Sequence, residues 1–165
     1  MKLEVAVEAL ALKVGALLLL FVFFSAAVFG ASFSPSDLAQ KKAKVTIGKM
    51  FGKEVDLRSF ESNPNYYSIY KNDSLIAYYC IENAPSKHDE FEFLVVYDTA
   101  LNIQKVQVLV YREDYGFEIK SKRWLQQFCT RKVDSVQAIS GATISVNSLK
   151  SAVERLNKKM AATLL

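Results

Sequence analysis

The chain has 165 residues, enough for one domain with a real core but hardly for two. Its formal charge is +4, from 21 Lys and Arg against 17 Asp and Glu. The basic residues are scattered rather than gathered in a stripe with interleaved aromatics, so no nucleic-acid role is implied.

Hydrophobic residues make up 51%, and much of the excess sits at one end. From Val14 to Ser36 no residue is charged. The run VGALLLLFVFFSAAVFGASF is long enough to cross a bilayer as a helix, which takes about 20 residues. Small residues at Ser25-Ala26-Ala27 and Val28-Phe29-Gly30 offer signal-peptide cleavage sites. The run nevertheless exceeds the usual ~7–15 residues of a signal h-region, which favours an uncleaved anchor. It is apolar on every face, unlike a helix of a soluble core. Lys2, Glu4, Glu8 and Lys13 precede it and Lys41, Lys42 and Lys44 follow it, so flanking charge does not set the orientation. A signal-like N-terminal span with no second span after it implies export. Residues 1–33 are thus expected to be a transmembrane anchor or signal segment. Residues 34–165 are expected to form a domain on the periplasmic or outer side of the inner (cytoplasmic) membrane. The Lys41–Lys44 cluster either touches anionic lipid beside the span or is the solvated face of a helix.

Ser34-Pro35-Ser36-Asp37 reads as a helix start, with serine as cap, proline in the first turn and aspartate at the positive end of the helix dipole. The helix should run to about Phe51 and stop at Gly52. EVDLRSFESNPN reads as a connecting segment. YYSIYK and SLIAYYCIEN flank Asn72-Asp73, a two-residue hairpin signal. APSKHDE is a loop. FEFLVVYD alternates at Phe91, Phe93 and Val95, and IQKVQVLVYRE at Val106, Val108 and Val110, which predicts a second hairpin with one face buried. SKRWLQQF reads as a short helix with Trp124 and Phe128 on one face. A short strand and a last helix from about Ser145 follow, with Val146, Leu149, Val153, Leu156 and Met160 facing the sheet. Strands cluster rather than alternate with helices, so the fold class is α+β, with a mainly antiparallel sheet flanked by helices.

Most enzyme chemistries lack their residues here. His88 is the only histidine and falls in a loop without a Ser or Cys partner, and there is no CxxC or HExxH. Cys80 and Cys129 allow one disulfide in an oxidising compartment, but their surroundings resemble no metal site and read best as buried or half-buried thiols.

One stretch stands apart. Ser140-Gly141-Ala142-Thr143-Ile144-Ser145 runs straight into the last helix. Gly141 lets the backbone turn tightly and be approached closely. The free amides of the helix's first turn, with the helix dipole behind them, suit a phosphate. The hydroxyls of Ser140, Thr143 and Ser145 lie within reach of the same spot. The plainer alternative is that Thr143 or Ser145 only caps the helix.

SGATIS resembles the S-G-A-T-x-[ST] motif of the FMN-binding domain family, which includes flavin-carrying subunits of the sodium-translocating NADH:quinone reductase and Rnf complexes. In that family the motif threonine is esterified to the FMN phosphate by a separate flavin transferase that uses FAD. The resemblance implies Thr143 as the attachment residue, with Ser140, Gly141, Ala142 and Ser145 around the phosphate. The upstream VYREDYGFEI resembles the family's strand and glutamate-glycine loop, which implies Glu113 and Gly116 as cofactor-side positions. Tyr115 either stacks on the isoalloxazine ring or belongs to the core. Trp124, Leu125 and Phe128 match the helix that follows. Gln137 stands three residues before Ser140, where the family pattern carries aspartate. The implied function is a membrane-anchored electron carrier with covalent FMN, an electron-transfer subunit rather than a self-sufficient enzyme. Its implied partners are membrane redox proteins, the flavin transferase and the lipid bilayer. The alternatives are a protein that binds FMN only non-covalently, and an anchored α+β binding or structural module with no cofactor.

Overall fold

The computed structural model describes residues 33–164. The expected anchor, residues 1–33, lies almost wholly outside them. No helix among the described residues is long and apolar enough to cross a membrane.

Helix α1 spans Asp37–Phe51. Its cap is Ser36, whose Oγ accepts from the Ala39 amide at 3.2 Å, and Gly52 closes it with a left-handed φ of 97°. Five strands follow: β1 (Asp56–Ser59), β2 (Tyr66–Lys71), β3 (Ser74–Pro85), β4 (Glu90–Asp98) and β5 (Ile103–Val110). Each pairs antiparallel with the next, so the sheet is an uncrossed meander. The Asn72-Asp73 turn has φ of 50° and 58° at its two central residues, the mirror-image geometry that matches strand twist in a tight hairpin. After β5 come a short 3-10 turn, Phe117–Lys120, and two single-turn helices, α2 (Lys122–Leu125) and α3 (Gln127–Thr130). The last helix, α4, spans Thr143–Leu164.

Three sequence expectations change. DLRS is a strand, β1, not a connection: its residues are mostly exposed, so no burial pattern announces it, and it forms by pairing Asp56–Ser59 with Tyr67–Tyr70. No strand precedes α4; Val133–Ser135 is a 3-10 turn and the chain then runs irregularly to the helix. The second hairpin is not buried on one face only. In β4 every residue from Phe91 to Tyr97 is buried. Phe91, Phe93, Val95 and Tyr97 face a core shared with Val146, Leu149, Val153, Leu156 and Met160 of α4. Leu94 and Val96 face a second core with Ala39, Ala43 and Ile47 of α1. Helices on both faces turn an alternating pattern into double burial.

The second layer holds one charged group. Glu92, 2% exposed, sits on the α1 face of β4. Its carboxylate accepts from the Ser36 amide at 2.8 Å and the Ser36 hydroxyl at 3.0 Å, and pairs with Arg112. It therefore pins the start of α1 to the sheet. Opposite it, β5 carries a bulge: Glu92 pairs with Val110 and Phe93 with Val108, leaving Leu109 as the extra residue. The freed Leu109 carbonyl accepts from the Lys42 ammonium at 2.7 Å, a second tie to α1. Cys80 and Cys129 are free thiols, the first buried and the second half-buried, as their surroundings indicated. Burial pushes the Cys80 thiol well above its ordinary pKa.

Glu92→Ala leaves the Ser36 amide unpaired, whereas Arg112 remains partly solvated and recovers water. The expected cost is therefore about 2–3 kcal/mol, that of lost bonds to a charged group, rather than the larger penalty of a stranded buried ion. It is read as a lowered urea midpoint, and an unchanged midpoint refutes this role of Glu92.

Candidate functional site

Two loops meet at one end of the sheet. The first, Tyr111–Gly116, leaves β5; the second, Ser140–Ala142, leads into α4. Gly116 has a left-handed φ of 69°, and a Cβ placed there would lie 3.3 Å from the Ala142 Cβ and 3.0 Å from the Tyr111 hydroxyl. The loops therefore touch backbone to side chain, and only glycine fits at the contact.

Tyr111 fastens them. Its hydroxyl donates to the Tyr115 carbonyl at 2.8 Å and lies 3.0 Å from the Ser145 Oγ. With its one proton committed to Tyr115, the tyrosine oxygen accepts from Ser145. One phenol thus joins the first loop to the first turn of α4. Its ring rests against Phe91, with centroids 5.8 Å apart.

The approach to α4 is held by side chains instead of a strand. The Trp124 indole donates to the Gln137 carbonyl at 2.7 Å, and Gln127 Oε1 accepts from the Gln137 amide at 3.2 Å. Lys150 reaches back from α4 to the carbonyls of Asp134 and Val136. Trp124 also packs edge-on against Phe128, with ring centroids 5.4 Å apart. It is a packing residue, as its spacing suggested, and a backbone clamp as well.

Helix α4 begins at Thr143, two residues before the expected start. Ala142 precedes it, and its carbonyl accepts the first helical bond, from the Val146 amide at 2.9 Å. Among the described residues no side chain caps the helix. The amides of Thr143, Ile144 and Ser145 have no acceptor there, and neither the Thr143 nor the Ser145 hydroxyl takes one of them. The plain capping alternative therefore does not describe this turn. Gly141, φ 83°, has nothing within 4 Å of a Cβ position, so its glycine answers to backbone shape and leaves open space beside the turn. Ser140, Gly141 and Thr143 are exposed, whereas Ala142 and Ser145 are buried.

The remaining candidates divide. Tyr115 is 68% exposed, so it is not core, and Phe117 beside it is also exposed. The Lys120 ammonium lies 5.9 Å from the Phe117 ring centroid and 6.0 Å from that of Tyr111. Glu113 ties together two loops. Its carboxylate accepts from the backbone amides of His88 and Asp89 and ties down the β3–β4 loop. Those bonds, the His88 amide first, hold its carboxyl below the usual glutamate range. Tyr111, Gln127 and Lys150 were absent from the sequence reading. A tyrosine at a strand end carries no local signal of the two loops it joins, and the other two act on a segment distant in sequence.

Physically the turn offers what a phosphate ester needs: unpaired amides at the positive end of a 22-residue helix, a backbone free of Cβ at Gly141, and an accessible hydroxyl. The exposed Tyr115 and Phe117 rings flank Gly116 at the loop contact, where an aromatic ligand can stack. An FMN group fits the residues present.

Gly116→Ala forces a Cβ onto Ala142 and Tyr111 at a left-handed φ, and should cost about 1–2 kcal/mol from backbone strain alone. Tyr111→Phe leaves the Tyr115 carbonyl and the Ser145 hydroxyl unpaired, at about 1 kcal/mol. The loops being one unit, the double mutant should cost clearly less than the sum in chemical denaturation. Strict additivity would mean that the two loops are independent.

Comparison with known proteins agrees with this geometry. No curated protein matches the chain. Residues 87–158 match the model of the family described as FMN-binding domain, a span that holds β4, β5, both loops and most of α4. The match bears out the resemblance to that family carried by the SGAT stretch, which lies within residues 87–158.

Proposed function

We propose that the chain is a membrane-anchored flavoprotein electron carrier with FMN attached through its phosphate to Thr143. The observation that supports it best is the Thr143 hydroxyl itself, exposed, unbonded among the described residues, and set at the open amides of α4 inside the FMN-binding domain. Bound FMN supplies the redox chemistry, and the protein's part is to hold, orient and tune it.

The residues divide that work. The amides of Thr143, Ile144 and Ser145 neutralise phosphate charge. Ser140 and Gly141 keep the approach open. Ala142 and Gly116 fix the spacing of the two loops, and Tyr111 locks it through Ser145. Tyr115 offers the ring face. Glu113 holds the neighbouring loop through Oε1, which leaves its second carboxylate oxygen free on the cofactor side. The site is a surface edge, and a surface edge cannot retain a ligand by enclosing it. A covalent tether removes that need.

No basic side chain hydrogen-bonds Thr143 among the described residues, so none of these activates its hydroxyl. A flavin transferase would do so. The Thr143 Oγ forms a bond to the flavin-side phosphorus of FAD, the bond from that phosphorus to the AMP oxygen breaks, and AMP leaves. The threonine proton passes to a base on the transferase, and no electron changes hands. The uncharged run 14–36 anchors the domain at the outer face of the cytoplasmic membrane, where it passes electrons between membrane-associated redox proteins. A second reading, FMN held non-covalently at the same turn, is favoured by Gln137 in the place of the family's aspartate.

Co-expression with an active flavin transferase should raise the intact mass by one FMN less one water, on the peptide that holds Thr143. Thr143→Ala should abolish flavin that survives denaturation. Its folding stability should stay within about 0.5 kcal/mol of the parent, because no cap bond is lost. An unmodified mass on a yellow native protein establishes the non-covalent reading. An unmodified, colourless protein refutes the carrier.

A further inference from the structure

The outward face of α1 has no role in the fold or the site. Ala39, Ala43, Thr46 and Ile47 face the sheet. On the opposite side Leu38 is 50% and Val45 56% exposed, although both are large aliphatic residues. Seven residues apart, they form one stripe along the helix. Lys41 and Lys44 lie along one side of that stripe and Lys49 continues it one turn beyond Val45; all three are exposed, and among the described residues they form no ion pair or side-chain hydrogen bond. Lys42 is different, since its ammonium is spent on the Leu109 carbonyl. The stripe is thus apolar at Leu38 and Val45 and positive along one side and at its end, with Asp37 the one acid on the helix.

This helix begins where the uncharged run ends. Ser36, the last uncharged residue, is its cap, and Glu92 and Leu109 fix the helix to the sheet so that its outer face is presented rigidly. We infer that the outer face of α1 lies on an anionic lipid surface, with Leu38 and Val45 entering the headgroup layer and Lys41, Lys44 and Lys49 pairing with lipid phosphates. The inference rests on the reading of residues 14–36 as a membrane anchor. The site at Thr143 belongs to a different helix and is not part of this surface.

The test uses the full chain with Val45→Trp, in nanodiscs of phosphatidylcholine alone and of an equal mixture with phosphatidylglycerol. Trp124, the one native tryptophan, is buried and gives a constant background. Brominated lipid should quench the new tryptophan in the mixed discs at least about fivefold more than in the neutral ones, the effect of a single lysine near an anionic surface. Adding Lys41→Glu, Lys44→Glu and Lys49→Glu should erase the difference. Equal quenching in both lipids overturns the inference. Shielding from acrylamide that grows with protein concentration overturns it in favour of a second copy of the chain. A full chain that leaves the discs in alkaline carbonate overturns the anchor and the inference together, whereas one retained with the introduced tryptophan open to acrylamide overturns the inference alone.

Discussion

The fold depends on the double burial of β4. A strand apolar on both sides cannot face water on either, so it dictates two cores and a helix over each. Helix α1 answers one face and α4 the other. The helices are far apart in sequence, and the sheet between them is a meander of local hairpins. Long-range order is thus concentrated in two docking events. Each has a polar anchor: Glu92 receives the cap of α1, and Tyr97 donates to Asn157 of α4 at 2.7 Å.

The site inherits its geometry from these events. Once α4 is docked on the sheet, its first turn falls beside the end of β5, and Tyr111 has only to join them. What is assembled is backbone: two left-handed glycines, one carbonyl held by an indole, two held by a lysine, and three amides left open. Such an arrangement suits the binding of a phosphate group.

What could be read from the sequence was local. Ser36 and Gly52 mark the ends of α1 because caps are short-range devices, and Asn72-Asp73 marks its hairpin because left-handed φ selects those residues. The apolar stripe of α4 was equally plain, and so was the SGAT turn. The start of α4 was misplaced because Ala142 has no side chain with which to announce a cap. Strand β1 was missed because exposed residues in DLRS become a strand only through their neighbour. The double burial of β4 depends on where α1 docks, which alternation within one strand does not encode. Glu113 shows the same limit at the site: its position near Gly116 was right, and its partners, the amides of a loop some 25 residues away, were out of reach.

The short stretch at the end of β5 has a mechanical meaning. Arg112 grips the Glu92 carboxylate that holds the beginning of α1, and its neighbour Tyr111 grips the first turn of α4. The point where the chain enters the domain and the turn that would carry the flavin therefore share one rigid corner, on opposite faces of the same sheet edge. A flavin held at that turn would thus lie near the β5 edge and far from β1, the strand at the other edge of the sheet.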